Sequence, residues 1–193
     1  MQIRLYKLQI SVYSIIQPPK KGNSMGKTVL VECEVEWAKL RPEDRDMGPN
    51  DGSDMANTFA MKQGVYVVNL MLDEKTKSKM ISDGVPNSGL QAQLFKTNKE
   101  GRMYYKSTRP HFNPKFTDQE TGEQGVVVGP PAMFKKVDND YVAWDWETDG
   151  LIGNGTKALV KLDVWEGKIT TLEKLAVVDH VPYESKVEDR SVF

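Results

Sequence analysis

The residues whose types could do chemistry are concentrated between positions 90 and 116. This segment reads LQAQLFKTNKEGRMYYKSTRPHFNPKF, in a chain of 193 residues whose formal net charge is only -1. It combines cations with flat aromatic rings: Lys96, Lys99, Arg102, Lys106, Arg109 and Lys115 with Phe95, Tyr104, Tyr105, Phe112 and Phe116. Cations neutralise phosphates, and rings stack on bases. The segment therefore predicts a surface for single-stranded nucleic acid.

The groups that most catalytic sites require are scarce. Two histidines, His111 and His180, offer little to a multi-histidine metal site or to a Ser-His-Asp arrangement. The single cysteine, Cys33, excludes an intramolecular disulfide, and we expect it to be a small apolar strand residue rather than a nucleophile. We therefore predict a protein that is not an enzyme, with no cofactor, no metal and no catalytic residue.

One cluster of carboxylates keeps an alternative open. Asp145, Glu147 and Asp149 would share one face of a strand in the sequence WDWETDG, and paired carboxylates can hold a nuclease metal. Alternating carboxylates on a solvent-exposed face explain the same pattern. A metal-dependent nuclease is thus an alternative to simple binding.

Hydrophobic alternation and turn residues predict a mainly β chain. A helix capped by Asp73 should end near Gly84, and 41–58 should be a long loop. A tight turn at Glu166 and Gly167 should join the last two strands. The predicted strands are 27–40, 64–72, 90–95, 103–107, 126–128, 132–137, 141–146, 157–165 and 168–178.

Short strands with one small helix favour a compact barrel. Among small barrels we expect the five-stranded oligonucleotide-binding (OB) fold, a Greek-key barrel with one short helix and long loops. Residues 25–182 would form this domain. Residues 1–24 would be a peripheral extension that need not be native, and residues 183–193 a C-terminal tail.

The predicted binding groove is lined by cations and aromatic rings. Adjacent strand residues face opposite sides, so only one of Tyr104 and Tyr105 can be a stacking surface. Lysine and arginine are seldom buried, so the cations should lie outside. The predicted contact residues are Tyr104, Tyr105, Lys106, Arg109, Phe112, Lys115, Lys135, Lys136, Trp144, Lys157, Lys161 and Trp165.

Three stretches carry a resemblance to a known family. They are GVYVVNLML, IGNGTKALVKLDVW and LEKLAVVDHV, in this order and at matching spacing. Together they resemble the replication single-stranded DNA-binding protein of T-seven-like phages, over residues 25–181. The resemblance implies an OB fold that binds single strands without sequence preference, protects DNA and supports its replication, recombination and repair.

The resemblance also implies particular residues and partners. Lys157 and Lys161 match the family's groove lysines, whereas Leu162 replaces an aromatic, which moves base stacking to Trp165 or elsewhere. Phe193 matches the terminal phenylalanine of an acidic tail that contacts replication proteins such as polymerase and helicase-primase. The implied setting is the cytoplasm of an infected bacterium, with no membrane and with a homodimer as one arrangement.

Two further alternatives stay open from the sequence. An RNA-binding or general oligonucleotide module could use the same barrel, because every base offers a face for stacking. A structural phage protein would use the β-rich domain only for assembly. Competition between DNA and RNA strands separates the first from our prediction, and the absence of strand binding identifies the second.

Overall fold

The described part of the chain, residues 26–118 and 120–184 of a computed structural model, is mainly β. Three helices and one short 3-10 turn interrupt the strands. The helices are α1 Asp54–Met61, α2 Glu74–Ser82 and α3 Gly89–Ala92, and the 3-10 turn is Pro42–Asp44. The strands are β1 Gly26–Lys39, β2 Val65–Leu72, β3 Phe95–Thr97, β4 Met103–Pro110, β5 Phe112–Thr117, β6 Gln124–Val127, β7 Ala132–Val137, β8 Asp140–Ala143, β9 Thr156–Trp165 and β10 Ile169–Asp179.

Eight strands form one large mixed sheet in the order β3-β4-β2-β1-β9-β10-β7-β8, and β5 with β6 forms a separate hairpin. Neighbouring strands of the large sheet are antiparallel except β10 and β7, which run parallel. The long β1 pairs with β9 from Gly26 to Val35 and with β2 from Val35 to Lys39. These three strands form the centre of the fold.

Several elements follow directly from local sequence signals. Val29, Val31 and Val35 alternate along β1 and are buried, as the pattern predicted. The side chain of Asp73 accepts a hydrogen bond from the Thr76 amide and caps α2. The β9–β10 hairpin closes at Glu166 and Gly167, both with positive φ. These predictions are confirmed.

Other local predictions were wrong. Part of the predicted loop 41–58 is helical, because Ser53 caps α1 by accepting a hydrogen bond from the Ala56 amide. α1 has only eight residues and buries none of them fully, so its helical periodicity is a weak signal in the sequence. The start of the predicted strand 90–95 is the short helix α3, and the predicted loop after β4 contains β5. The described chain thus has three helices instead of one.

The sheet curls but is not a closed barrel, which corrects the predicted architecture. Closure would require β4 to pair with β10. Instead, β3 pairs with part of the free edge of β4, and β7 pairs with part of the free edge of β10. The side chain of Arg109 in β4 reaches the carbonyl of Leu172 in β10 at 3.2 Å, so the two strands approach through a side chain.

The main core lies inside the curl. It is built from the inward-facing residues of β1, β2, β9 and β10 together with Met80 of α2. A smaller cluster on the other face joins Phe134, Tyr141 and Ala176, with Leu159 beside them. Among the residues that the structure describes, no helix has the length and apolar character that a membrane span needs.

Candidate nucleic-acid interface

The outer surface of β2 and β4 brings an aromatic ring and two cations together. Tyr104 lies opposite Lys96 of β3, and Lys106 lies two residues further along β4, opposite Asn69 of β2. Because alternate strand residues share a face, these side chains and Thr108 lie on one surface, which we call the β2–β4 face. Tyr104 and Lys106 are half-buried, and Lys96 is exposed. This face retains the predicted pairing of ring and cation.

The β5–β6 hairpin carries a second group of predicted residues. The ring of Phe112 packs over Gly125, where a Cβ atom would lie 2.1 Å from the Phe112 Cζ atom. Phe112 therefore holds the hairpin together, which leaves it a poor stacking surface. Lys115 is exposed, and the ring of Phe116 is 49% exposed beside it. Phe116 is a more accessible ring than the predicted Phe112.

Two predicted stacking rings belong to the core. Tyr105 has no exposed surface and packs against Phe95, with ring centroids 4.8 Å apart. Trp144 is only 8% exposed, because it lies edge-on to Trp146 and His180. Neither ring can meet a base on this surface. As expected, the two adjacent rings differ: Tyr105 is buried, and Tyr104 is half-buried and the more accessible of the two.

Lys161 is a further correction, because it is only 2% exposed. It lies on the central strand β9, opposite Leu30 of β1 and Lys174 of β10. Burial raises the pKa of the neighbouring Asp163 carboxyl, and the charge of Lys161 counteracts this. Burial also lowers the pKa of Lys174, and the like charge of Lys161 adds to the effect. Lys161 is therefore part of an internal charge cluster instead of an open groove.

Arg109 is committed to structural contacts. Its guanidinium donates to the carbonyls of Gly129 at 3.0 Å, Val128 at 3.2 Å and Leu172 at 3.2 Å. It also forms an ion pair with Glu173 at 2.6 Å, and its side chain is 13% exposed. These bonds use four of the five N–H donors of a largely buried side chain, so the prediction that Arg109 contacts DNA does not fit this arrangement.

The remaining predicted residues are dispersed over β7 and β9. Lys135 is ion-paired with Asp149, whereas Lys136 is exposed on the same strand. Lys157 is exposed and 3.3 Å from Asp179, and Trp165 is half-buried where β9 meets its turn. The structure does not bring these side chains together with the β2–β4 face into one groove.

Two carboxylates border the β2–β4 face, and one cation holds both. Arg102, in the turn between β3 and β4, donates to Glu34 at 2.9 Å and to Glu36 at 2.8 Å. These bonds reduce the negative potential that the two glutamates of β1 would otherwise place next to the face. Arg102 therefore contributes to the face by neutralising these two glutamates.

The carboxylates of the nuclease alternative serve the turn in which they lie. Asp145 accepts a hydrogen bond from the Glu147 amide at 3.0 Å. Partial burial alone would raise the pKa of Asp149, but bonds from Lys135 and the Asp145 amide outweigh it and the pKa is lowered. Across the described residues there is no cluster of three or more His, Cys, Asp or Glu side chains that could hold a metal ion.

Trp37 is a surface residue that the sequence pattern did not reveal. It follows Val29, Val31, Cys33 and Val35 in the alternation, and that order predicted a buried ring. The structure leaves it 66% exposed, because β1 gains one residue relative to β2 between Glu36 and Lys39. No residue pattern in this part of the sequence predicts the bulge. The one local feature that hints at an exposed ring is a tryptophan at the end of a strand rich in charged residues.

Some predicted features lie outside the described residues. They are Phe193 with most of the tail, and the extension at 1–24. No family model matches this chain, and comparisons with curated proteins and with solved structures find no match.

Proposed function

We propose that this chain binds single-stranded DNA without sequence preference across its β2–β4 face. The observation that carries the proposal is the position of Tyr104, between Lys96 on the neighbouring strand and Lys106 on its own strand. A ring between two cations can stack on a base while the ammonium groups neutralise the flanking phosphates. Asn69 adds a hydrogen-bonding side chain to the same surface.

The strand order supports an open OB-like fold as the framework of this site. The antiparallel run β4-β2-β1-β9-β10 has five strands, and Arg109 brings its two ends together. In OB folds, the face of the second and third barrel strands binds oligonucleotides. Here those strands correspond to β2 and β4, which carry Asn69, Tyr104 and Lys106.

The resemblance to phage replication proteins supports a role in protecting single strands during replication, recombination and repair. An RNA-binding module would use the same chemistry, because stacking does not distinguish the two sugars. We favour DNA because the family that these three stretches resemble binds DNA. Contact with polymerase or helicase-primase through Phe193 is a further part of this proposal.

The test is a titration of labelled poly-thymidine strands with the full chain, followed by fluorescence anisotropy. Strands of about 20 nucleotides exceed the roughly 4 to 16 that one OB fold covers. We expect the affinity to fall as salt rises, with a log-log slope of about 0.7 per neutralised phosphate. The same titration with matched RNA and with duplex DNA compares the affinities for the three ligands. Incubation of the labelled strands with the protein and magnesium tests for cleavage.

Variants connect the binding to the β2–β4 face. Tyr104→Ala should weaken binding by about 1 to 3 kcal/mol, the range for loss of one stacked base. Lys106→Gln should lower the salt slope by about 0.7. Lys75→Gln, which removes an exposed cation on α2, is the matched control and should bind like the unmodified protein.

Three results would overturn the proposal. They are no binding at low salt, equal affinity for duplex and single strands, and cleavage of the strands in magnesium. Tighter binding to RNA than to DNA would show that the ligand is RNA, and the proposed site would still stand.

A further inference from the structure

Trp37 holds an unusual position for a large apolar side chain. Its ring is 66% exposed although burial of an aromatic ring is favourable. Its backbone has φ of +52°, a conformation that non-glycine residues seldom adopt. Such residues persist where the surrounding structure fixes them, and they concentrate at functional sites.

The bulge that exposes Trp37 is held by the turn before β9. The Trp37 amide donates to the side-chain oxygen of Asn154 at 2.9 Å. The Gly155 amide donates to the carbonyl of Val35 at 3.0 Å. Both bonds join β1 to residues more than a hundred positions away. The backbone under the ring is therefore fixed before any ligand arrives, which lowers the entropic cost of binding.

The register places the backbone of Trp37 beside the β2–β4 face. Glu36 pairs with Asn69, which pairs with Lys106, so these three residues form one row across the sheet. The next row is Lys39, Val67 and Thr108, and Trp37 lies in the bulge between the two rows. Two strand spacings, about 10 Å, separate β1 from β4.

The charges around Trp37 are compatible with a polyanion. Lys39 is exposed two residues after it. Glu36, the residue before Trp37, is held by Arg102 at 2.8 Å. A strand that stacks on Tyr104 and crosses β2 would thus meet a second ring with a cation next to it.

We propose that Trp37 is a second base-stacking residue of the single-stranded DNA site, an inference that rests on the proposed function. The ligand group is a nucleobase of the bound strand, and Lys39 contacts the adjoining phosphate. The fixed bulge makes Asn154 a positioning residue for the ring.

The experiment combines tryptophan fluorescence with binding of the same poly-thymidine strands. We expect DNA to quench the emission of the unmodified protein and of Trp165→Phe. In Trp37→Phe the quenching should be largely lost while the affinity stays within about threefold, because a phenyl ring still stacks. Trp37→Ala should bind about 5- to 150-fold more weakly, which corresponds to about 1 to 3 kcal/mol per stacked base.

Folding of the variants is checked by urea unfolding, and the exposed ring predicts little change for Trp37→Ala. Asn154→Ala serves as a second variant, expected to weaken binding and quenching while Trp37 remains. This inference would be overturned, and the proposed function left intact, if Trp37→Ala binds DNA with normal, salt-dependent affinity and the emission of Trp37→Phe is quenched as in the unmodified protein. Absence of any DNA binding by the unmodified protein would overturn both.

Discussion

At the scale of single residues, Cys33 shows how a strand environment decides reactivity. Burial, with smaller contributions from the charges of Glu32 and Glu34, raises the pKa of the Cys33 thiol to about 12. The thiolate is the nucleophile, so this thiol is almost entirely unreactive near neutral pH. The expectation of a small apolar strand residue fits this environment.

Iodoacetamide at about pH 8 should therefore alkylate the folded protein on the order of a thousandfold more slowly than the urea-unfolded chain, where the thiol regains its ordinary pKa near 8.5. Mass spectrometry of the modified fraction over time gives both rates. Cys33→Ser supplies the background. Similar rates in the folded and unfolded states would contradict the pKa shift.

At the scale of elements, Arg109 joins β4, β10 and the segment at Val128 and Gly129. It donates to three carbonyls and to Glu173, and its side chain is mostly buried. Arg109→Met keeps an unbranched apolar stem that ends near the position of the Nε atom, and it removes every donor. We expect the free energy of unfolding to fall by about 2 to 4 kcal/mol, because buried acceptors and a carboxylate lose their partner. Urea unfolding measures this.

Arg102→Met is the matched control for this prediction. Arg102 also binds two carboxylates, but its side chain is 45% exposed and water can replace it. Exposed ion pairs contribute little, so the loss should be at most about 1 kcal/mol. Equal losses for the two variants would show that Arg109 does not bridge the strands.

At the scale of the whole molecule, stability should depend on pH through His111. Burial, with a smaller contribution from the charge of Arg45, lowers the pKa of His111. Its Nδ1 atom lies 2.8 Å from the hydroxyl of Tyr66. The unfolded chain takes up the proton near the ordinary pKa of 6.5 and the folded chain only at lower pH. Stability is therefore full above that pKa and falls as pH decreases through the lower, folded value.

Urea unfolding between about pH 7.5 and pH 5.5 tests this, because unperturbed carboxyl groups titrate near pH 4. We expect the stability of the unmodified protein to fall more over this window than that of His111→Gln. Parallel pH profiles for the two proteins would show that His111 is not responsible.

Local sequence by itself determined much of the framework. The alternation in β1, the Asp73 cap of α2 and the turn of the β9–β10 hairpin depend on residues close together in the chain. The aromatic and basic composition of 90–116 also pointed to a ligand class. Periodicity and capping are local, so one sequence can reveal them.

Tertiary structure alone decided which of these residues are accessible. Tyr105 and Lys161 became buried, Arg109 became a bridge, and a bulge exposed Trp37. Each outcome depends on strand register and on partners far away in the chain, such as Glu173 for Arg109 and Asn154 for Trp37. A change of one residue in register moves a side chain to the other face of a sheet, and no local pattern specifies that change.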